Sequence, residues 1–344
     1  MMRKITLTRL PVLVLALALV ASLGCGDSDD ADTTAAASAT TVATTQAPPA
    51  VDESDVLADG ITATLADWKP VIGADALFEN LSDGDESNDP FVLSVRSAEH
   101  YALGHIEGAH NIPWRAITDP ANLATLPTDE PIVVYCYTGH TGQVAATLLR
   151  MLGYDAVNLK FGMMGWTSDA EVLATTPFSG APDYPVETVA HPLTDTYTAP
   201  ALATGETELS EIVLARAAAF MADWSPVIPP SGLFENLSDG DESNDPFVVS
   251  VRSAEHYALG HIEDAYNIGW KSIATDDSLA KLPTDEPIVV YCYTGHTGQV
   301  AATALALLGY DVANMKFGMM GWTADGDVLA TTPFSAPGDY PVEN

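Results

Sequence analysis

Most of this chain of 344 residues is one sequence that occurs twice. The stretch 126–147, LPTDEPIVVYCYTGHTGQVAAT, recurs letter for letter at 282–303, and Trp68 recurs as Trp224, always 156 positions later. No insertion or deletion interrupts this register. The unit is far longer than a solenoid repeat and has the size of a small domain. The sequence therefore predicts a tandem duplication of one domain.

Each copy alternates strand-like and helix-like segments. In the first copy, FVLSV at 91–95 and PIVVY at 131–135 are β-rich and largely apolar, which is typical of central parallel strands that are covered on both faces. The spacing of apolar residues in 56–65 and 142–152 predicts helices. The sequence thus predicts an α/β protein of two tandem domains, each with a mainly parallel central sheet flanked by helices.

The segments outside the two copies complete the predicted domain organisation. Residues 1–25 have a positive start and a short apolar run that ends at Cys25, as in the signal peptide and lipobox of a bacterial lipoprotein, so we expect lipid on Cys25. The protein is then exported and anchored to the cell membrane on its periplasmic or cell-surface side. Plain secretion and an uncleaved N-terminal anchor are the alternatives. We predict a signal peptide at 1–25, a disordered tether at 26–52, domain 1 at 53–187, a linker at 188–209 and domain 2 at 210–344.

The charge of the chain limits its partners. The sequence has 13 Lys and Arg residues against 47 Asp and Glu residues, a formal net charge of −34. Nucleic acid requires a basic surface, and a grip on anionic lipid requires clustered Lys or Arg. We therefore expect no nucleic acid partner, membrane contact only through the lipid anchor, and a monomer with two pseudo-symmetric domains. Because the overall field repels anions, an anionic substrate must be held by local groups.

One cysteine in each copy directly follows the second apolar strand and precedes a helix. Cys136 and Cys292 therefore lie where open α/β sheets bind ligands and where the N–H groups of a helix start favour an ionised thiol. The residues that follow can curl around the sulfur and offer main-chain N–H donors. These predicted anion loops are Tyr137, Thr138, Gly139, His140, Thr141 and Gly142, and Tyr293, Thr294, Gly295, His296, Thr297 and Gly298. The alternatives are a buried, inert thiol and, for His140, either a titrating cation at the mouth of the site or an exposed histidine without a role.

No motif indicates a cofactor, and no cluster of His and Cys has the spacing of a zinc site. The acidic stretch 83–89 superficially resembles a calcium loop, but it lacks the glycine and the final glutamate that such loops need. We expect no metal and no cofactor, and we interpret 83–89 as a solvated acidic turn.

Several motifs, in order, resemble those of rhodanese-type sulfurtransferases. They are Val95-Arg96, GHIEGA at 104–109, VVYCYTG at 133–139 and GMMGW at 162–166, with counterparts in the second copy. The resemblance implies that Cys136 and Cys292 accept a sulfane sulfur from thiosulfate or from a persulfide or polysulfide donor. Each cysteine persulfide then passes the sulfur to a thiophilic acceptor. The expected partners are small sulfur-containing anions or thiols.

One departure from this family bears on the chemistry. The family loop usually carries one or two arginines after the cysteine, and neither loop here has any, so we expect persulfide formation to rest on main-chain N–H groups. Arg96 and Arg252 are expected to brace the fold through a nearby carboxylate. A related phosphatase is disfavoured, because Gly142 and Gly298 occupy the position where such enzymes need an arginine. The other alternative is a non-enzymatic surface module that binds sulfide or persulfide or senses redox state.

Overall fold

The computed structural model describes residues 52–344, in which each copy contains a five-stranded sheet. The strands of the first copy are β1 Val71–Ile72, β2 Phe91–Ser94, β3 His110–Asn111, β4 Ile132–Tyr135 and β5 Ala156–Leu159. Those of the second are β6 Val227–Ile228, β7 Phe247–Ser250, β8 Tyr266–Asn267, β9 Ile288–Tyr291 and β10 Val312–Met315. The strand orders are β1-β5-β4-β2-β3 and β6-β10-β9-β7-β8, and all neighbouring strands are parallel. The predicted fold class is confirmed. The predicted signal peptide, Cys25 and all of the tether except Asp52 lie outside the described residues.

Helices precede, connect and follow these strands. In the first copy they are α1 Glu53–Ala66, α2 Ala74–Leu81, α3 Ala98–Tyr101, α4 Pro120–Leu123, α5 His140–Met151, α6 Met163–Trp166 and α7 Ala170–Leu173. In the second they are α8 Leu209–Phe220, α9 Pro230–Leu237, α10 Ala254–Ala258, α11 Asp276–Leu279, α12 His296–Leu308, α13 Met319–Trp322 and α14 Gly326–Leu329. Within residues 52–344, none of the helices has the length and apolar character needed to span a bilayer.

The central strand of each sheet places the cysteine. All of β4 is buried, with Ile132 and Val134 in one apolar cluster and Val133 and Tyr135 in the other, as expected for a strand covered on both faces. Cys136 follows the last of these residues at the carboxyl edge of the sheet. The chain then turns into α5 through a glycine with φ +90°, a conformation that costs glycine little.

The two copies share one core. Helices α5 and α12 pack against each other, and α1 and α8 pack against both. The buried cluster on that side draws its residues from each copy and includes Ile61, Val144, Ile212 and Val300. The duplicated halves are therefore packed face to face as a pseudo-twofold pair.

Each copy also sends an arm across the other. We call these segments arm 1 (residues 176–187) and arm 2 (residues 332–343). In arm 1 the N–H of Tyr184 donates to the carbonyl of Trp322 at 2.9 Å, and the Trp322 indole donates back to the arm at 2.8 Å. Arm 2 makes the same pair of bonds to the first copy, through Tyr340 and Trp166, at 3.0 and 2.8 Å. The exchange of arms is thus reciprocal.

Candidate active site

Each cysteine sulfur lies beside the start of the long helix that follows it. The N–H of Gly139 donates to Sγ of Cys136 at 3.2 Å, and the N–H of Gly295 donates to Sγ of Cys292 at 3.1 Å. Helices α5 and α12 begin one residue after these glycines, so the positive end of each helix dipole lies near the sulfur. Both the hydrogen bond and the helix dipole place positive partial charge beside the sulfur.

Each loop contains main-chain N–H groups that have no hydrogen-bond acceptor within the described residues. In the described protein, five N–H groups of each loop have no hydrogen-bond acceptor: those of Tyr137, Thr138, His140, Thr141 and Gly142, and those of Tyr293, Thr294, His296, Thr297 and Gly298. The first bond of α5 runs from the N–H of Gln143 to the carbonyl of Gly139 at 3.1 Å, so the preceding donors are free, as at any helix start. A nest of this kind can hold an anionic sulfur without a charged side chain.

The side chains of the loop fix its shape. The hydroxyl of Tyr137 accepts the N–H of Ser97 at 3.2 Å, which ties the loop to α3 of the same copy. The side-chain amide of Asn158 on β5 donates to the carbonyl of Gly139 at 3.0 Å. Gly142 is buried, and a Cβ there would collide with Oδ1 of Asn158, while Thr141 is half-buried. Sequence reasoning identified the loop but missed the asparagine that supports it, which recurs in the second copy.

Both sulfurs are enclosed. Cys136 and Cys292 are each 1% exposed and belong to the shared apolar cluster. The alternative of a buried, inert thiol is therefore correct in that both cysteines are buried. It does not explain the loop of free N–H donors beside each sulfur, because a purely structural thiol needs no such loop. At the second site, a surface cavity of about 410 Å³ reaches Tyr293, the residue after the cysteine, and is also lined by Ser253, Trp270 and Lys271.

The histidine of each loop reaches the other copy. Nε2 of His140 accepts the N–H of Phe317, and Nε2 of His296 accepts the N–H of Phe161, each at 3.0 Å. Nδ1 of His140 therefore carries the proton and donates to Thr138 Oγ1 at 3.1 Å. Burial lowers the pKa of His296 to about 3 and holds the pKa of His140 well below its usual value. Both sequence-based alternatives for His140 are wrong: it is a buried, neutral acceptor that joins the two copies.

A segment after the last strand covers each loop. Phe161 has φ +66°, which is rare for an aromatic residue, and its N–H in this conformation donates to His296. The N–H of Met163 donates to the carbonyl of Cys136 at 2.9 Å. The sequence KFGMMGW at 160–166 recurs unchanged at 316–322. Its full identity between the copies is the sequence feature that signals a role beyond packing.

Two lysines place positive charge at the loops. Nζ of Lys160 and Nζ of Lys316 lie 5.2 and 5.0 Å from the ring centroids of the phenylalanines that follow them. Both side chains are half-buried, and no carboxylate oxygen among residues 52–344 lies within 4.0 Å of either. Burial lowers the pKa of Lys316, and the charge of Cys136 in the other copy opposes that shift. After burial, the charge of Lys316 also contributes to the lowered pKa of His140, and the charge of Lys160 contributes to the lowered pKa of His296. The lysine of each copy thus acts on the loop of the other.

The two arginines brace the fold through carbonyls. Arg96 is fully buried and donates to the carbonyl of Val172 at 2.7 Å and to that of Gly104, and Arg252 makes the equivalent bonds in the second copy. No carboxylate lies within 4.0 Å of either guanidinium in the described part of the chain. The predicted carboxylate partner is wrong, because the motif supplies main-chain acceptors instead.

Comparison with known proteins places both cysteine loops in one family. The Rhodanese-like domain family matches residues 74–169 and 233–325. Thiosulfate sulfurtransferase GlpE of Pseudomonas paraeruginosa is 35% identical over 82 residues, which are 24% of this chain and 73% of GlpE. The probable adenylyltransferase/sulfurtransferase MoeZ of Mycobacterium tuberculosis is 33% identical over 81 residues, 23% of this chain and only 21% of MoeZ.

Among solved structures, a rhodanese-like domain protein from Staphylococcus aureus is 31% identical, with 29% of this chain and 94% of that chain covered and a TM-score of 0.27. The two family matches cover more than half of the chain, and each contains one cysteine with its complete loop. The chain therefore belongs to the rhodanese-like domain family, with two such domains in tandem.

Proposed function

We propose that this protein is a sulfurtransferase with two active sites, in which Cys136 and Cys292 each carry a sulfane sulfur as a persulfide. The observation that carries the proposal is the position of each sulfur beside a loop of free main-chain N–H groups at a helix start. A relative named as a thiosulfate sulfurtransferase supports the same donor class.

The proposed reaction has two displacements. The Cys136 thiolate attacks the outer sulfur of thiosulfate, and sulfite leaves with the electron pair of the broken S–S bond. A thiolate or cyanide acceptor then attacks the outer sulfur of the persulfide, and the cysteine thiolate is released. The free N–H groups hold the negative charge of the outer sulfur between these steps, and one well-aimed donor of this kind is worth about 3 kcal/mol.

In this proposal, a lysine of the opposite copy supplies the positive charge that a loop arginine usually provides. Lys316 serves the Cys136 site and Lys160 serves the Cys292 site. Three observations support this: neither ammonium has a carboxylate within 4.0 Å among residues 52–344, both lysines are half-buried, and the charge of Cys136 partly offsets the effect of burial on the pKa of Lys316. In a chain with a net charge of −34, a cation that is left unpaired next to an anion site favours entry of an anionic donor.

The test is thiocyanate production from thiosulfate and cyanide by the full chain. We expect Cys136→Ser and Cys292→Ser each to remove about half of the activity and the double variant to remove all of it, since each site works by covalent catalysis. Cys25→Ser is the matched control, because it removes a cysteine outside both loops. Thiosulfate should add about 32 Da, one sulfur, to each active cysteine. Wild-type turnover by the double variant would refute the mechanism.

A second candidate function is a module that stores or senses sulfide or persulfide without turnover. The enclosure of both sulfurs, each cysteine 1% exposed, favours it. The two candidates differ in one result: a persulfide adduct that forms but yields no thiocyanate would support the module and not the enzyme.

A further inference from the structure

Arm 1 and the second copy bring three metal-ligating side chains together, away from both cysteine loops. Oε1 of Glu187 lies 2.9 Å from Nε2 of His191 and 3.9 Å from Nε2 of His261. Ligand atoms from all three residues lie within 4.8 Å of one another. Glu187 ends arm 1, His191 follows it, and His261 belongs to the second copy, so no sequence motif contains the set.

The ring of His261 lies between oxygen acceptors. Its side chain is fully buried, and its ring nitrogens both face main-chain carbonyls: Nδ1 lies 2.9 Å from the oxygen of Tyr257, and Nε2 lies 2.9 Å from the oxygen of Val189. A neutral imidazole has only one N–H. When Nδ1 donates to Tyr257, the lone pair of Nε2 faces both the Val189 oxygen and the carboxylate of Glu187. A metal cation placed between Nε2 and these two oxygens would accept a lone pair from each of the three atoms.

The outer contacts orient the group as they do in metal sites. Oε1 of Glu187 accepts the N–H of Asp264 at 2.7 Å, and Nδ1 of His191 lies 3.9 Å from Oδ1 of the same aspartate. Metal-binding histidines usually give their other nitrogen to a carbonyl or carboxylate. His261 has such a partner in the Tyr257 carbonyl, and the Asp264 carboxylate lies on the corresponding side of His191, beyond hydrogen-bond distance.

We propose that Glu187, His191 and His261 bind one Zn²⁺ ion, with the carbonyl of Val189 close enough to be a fourth ligand. Imidazole and carboxylate ligands bind zinc at about 2.0–2.2 Å, so tetrahedral ligand atoms lie about 3.3 Å apart. The separations of 2.9 and 3.9 Å fall on either side of that value. The side chains of Glu187 and His191 are 24% and 26% exposed, so the ion enters from solvent. Once bound, it joins arm 1 to the second copy.

The first copy supplies a matched control. There Nε2 of His105 pairs with Oε1 of Glu343 at 3.2 Å, and the same oxygen accepts the N–H of Gly108 at 2.8 Å. No second imidazole completes a ligand group at that pair within residues 52–344. Glu343 therefore attaches arm 2 to the first copy in the same way that Glu187 attaches arm 1 to the second copy. The residues around Glu343 do not form a full set of zinc ligands.

The experiment titrates full-length, EDTA-treated protein with ZnCl₂ against a chromophoric chelator and measures zinc retained after dialysis. We expect one tightly bound Zn²⁺ per wild-type chain. Affinity should fall at least about tenfold in Glu187→Gln and in His191→Ala and stay unchanged in Glu343→Gln. ZnCl₂ should raise the Tm of the wild type and of Glu343→Gln, but not of the other two variants.

Three results would overturn the proposal. The first is a wild-type chain that retains no zinc after dialysis. The second is equal loss of zinc in Glu187→Gln and Glu343→Gln, which a purely structural role of the carboxylates would produce. The third is full retention by Glu187→Gln or by His191→Ala, which would place the ion elsewhere, for example on the thiols.

Discussion

At the scale of single residues, the two halves of each proposed site come from different copies. The sulfur and the N–H donors belong to one copy, and the cation belongs to the other. A lysine on a flexible stem can approach an anionic donor without the fixed geometry of a loop arginine. We therefore expect the lysines to attract the anionic donor and to stabilise its transition state. The main-chain N–H groups still stabilise the persulfide.

The residue-scale prediction uses a protein in which only one site is active. In a Cys292→Ser background, Lys316→Met should lower kcat/KM for thiosulfate about tenfold, equivalent to about 1.4 kcal/mol of lost attraction. Lys160→Met in the same background is the matched control, and it should leave kcat/KM unchanged because that lysine faces the silenced site. Steady-state kinetics with varied thiosulfate measure both. Equal effects of the two substitutions, or none, would contradict assistance from the opposite copy.

The residues that sequence reasoning found and those it missed differ in where their partners lie. Cys136 and its loop follow from a local pattern, an apolar strand with a glycine loop and a helix after it, and the structure contains that pattern. Burial lowers the pKa of His140, and the opposite copy helps to bury it: its Nε2 accepts the N–H of Phe317, which is 177 positions away in the chain. Nothing in the spacing of a sequence indicates a contact of that kind, so both sequence-based interpretations of the histidine failed.

At the scale of elements, the loops that lead into α5 and α12 contact each other directly. The rings of His140 and His296 stack with centroids 6.0 Å apart, and each accepts a main-chain N–H of the opposite copy. Gly139 and Gly295 make this possible, because a Cβ on either glycine would collide with the histidine of the other loop. The glycines predicted to shape the anion nest therefore also admit the opposite copy.

This contact predicts an acid dependence of stability. Above about pH 6.5 both histidines are neutral in the folded and the unfolded chain, and their contribution does not change with pH. Below that pH the unfolded chain binds protons that the folded chain does not, until His296 titrates at about 3. The free energy of unfolding should therefore fall with decreasing pH, by about 1.4 kcal/mol per pH unit from His296, and the lowered pKa of His140 acts in the same direction.

Urea unfolding between pH 7 and pH 4.5 measures this slope. A double variant, His140→Gln with His296→Gln, keeps a side-chain acceptor but does not titrate in this range. Its free energy of unfolding should depend less steeply on pH than that of the wild type. Identical slopes for the two proteins would mean that the buried histidines do not govern the acid response.

At the scale of the whole molecule, the two copies are not separate domains that only a linker connects. Their helices share one buried cluster, and each arm lies on the other copy. The sequence indicates two equal domains because the duplication is visible letter by letter. It does not indicate how the domains pack, since the apolar surface between them looks the same in sequence as the surface inside each one.

The whole-molecule prediction concerns one copy alone. Fragment 52–187 carries arm 1 and also Trp166, the counterpart of the Trp322 that arm 1 contacts. Without the second copy, arm 1 and the apolar sides of α1 and α5 are uncovered, and two fragments can cover them by exchanging arms. Size-exclusion chromatography with light scattering should show a dimer, and removal of arm 1 (fragment 52–175) should weaken it. A stable monomer of the longer fragment would contradict this interpretation.

The reciprocal arms also bear on how such a chain arises. Two identical polypeptides that exchange their C-terminal arms form a symmetric dimer. If the two genes are joined end to end, the same contacts form within one chain, and the partner becomes permanent. A dimer of that kind separates on dilution, whereas its fused descendant keeps the partner at a fixed effective concentration. The duplication thus gives each cysteine loop a neighbour that cannot diffuse away, however few molecules surround it.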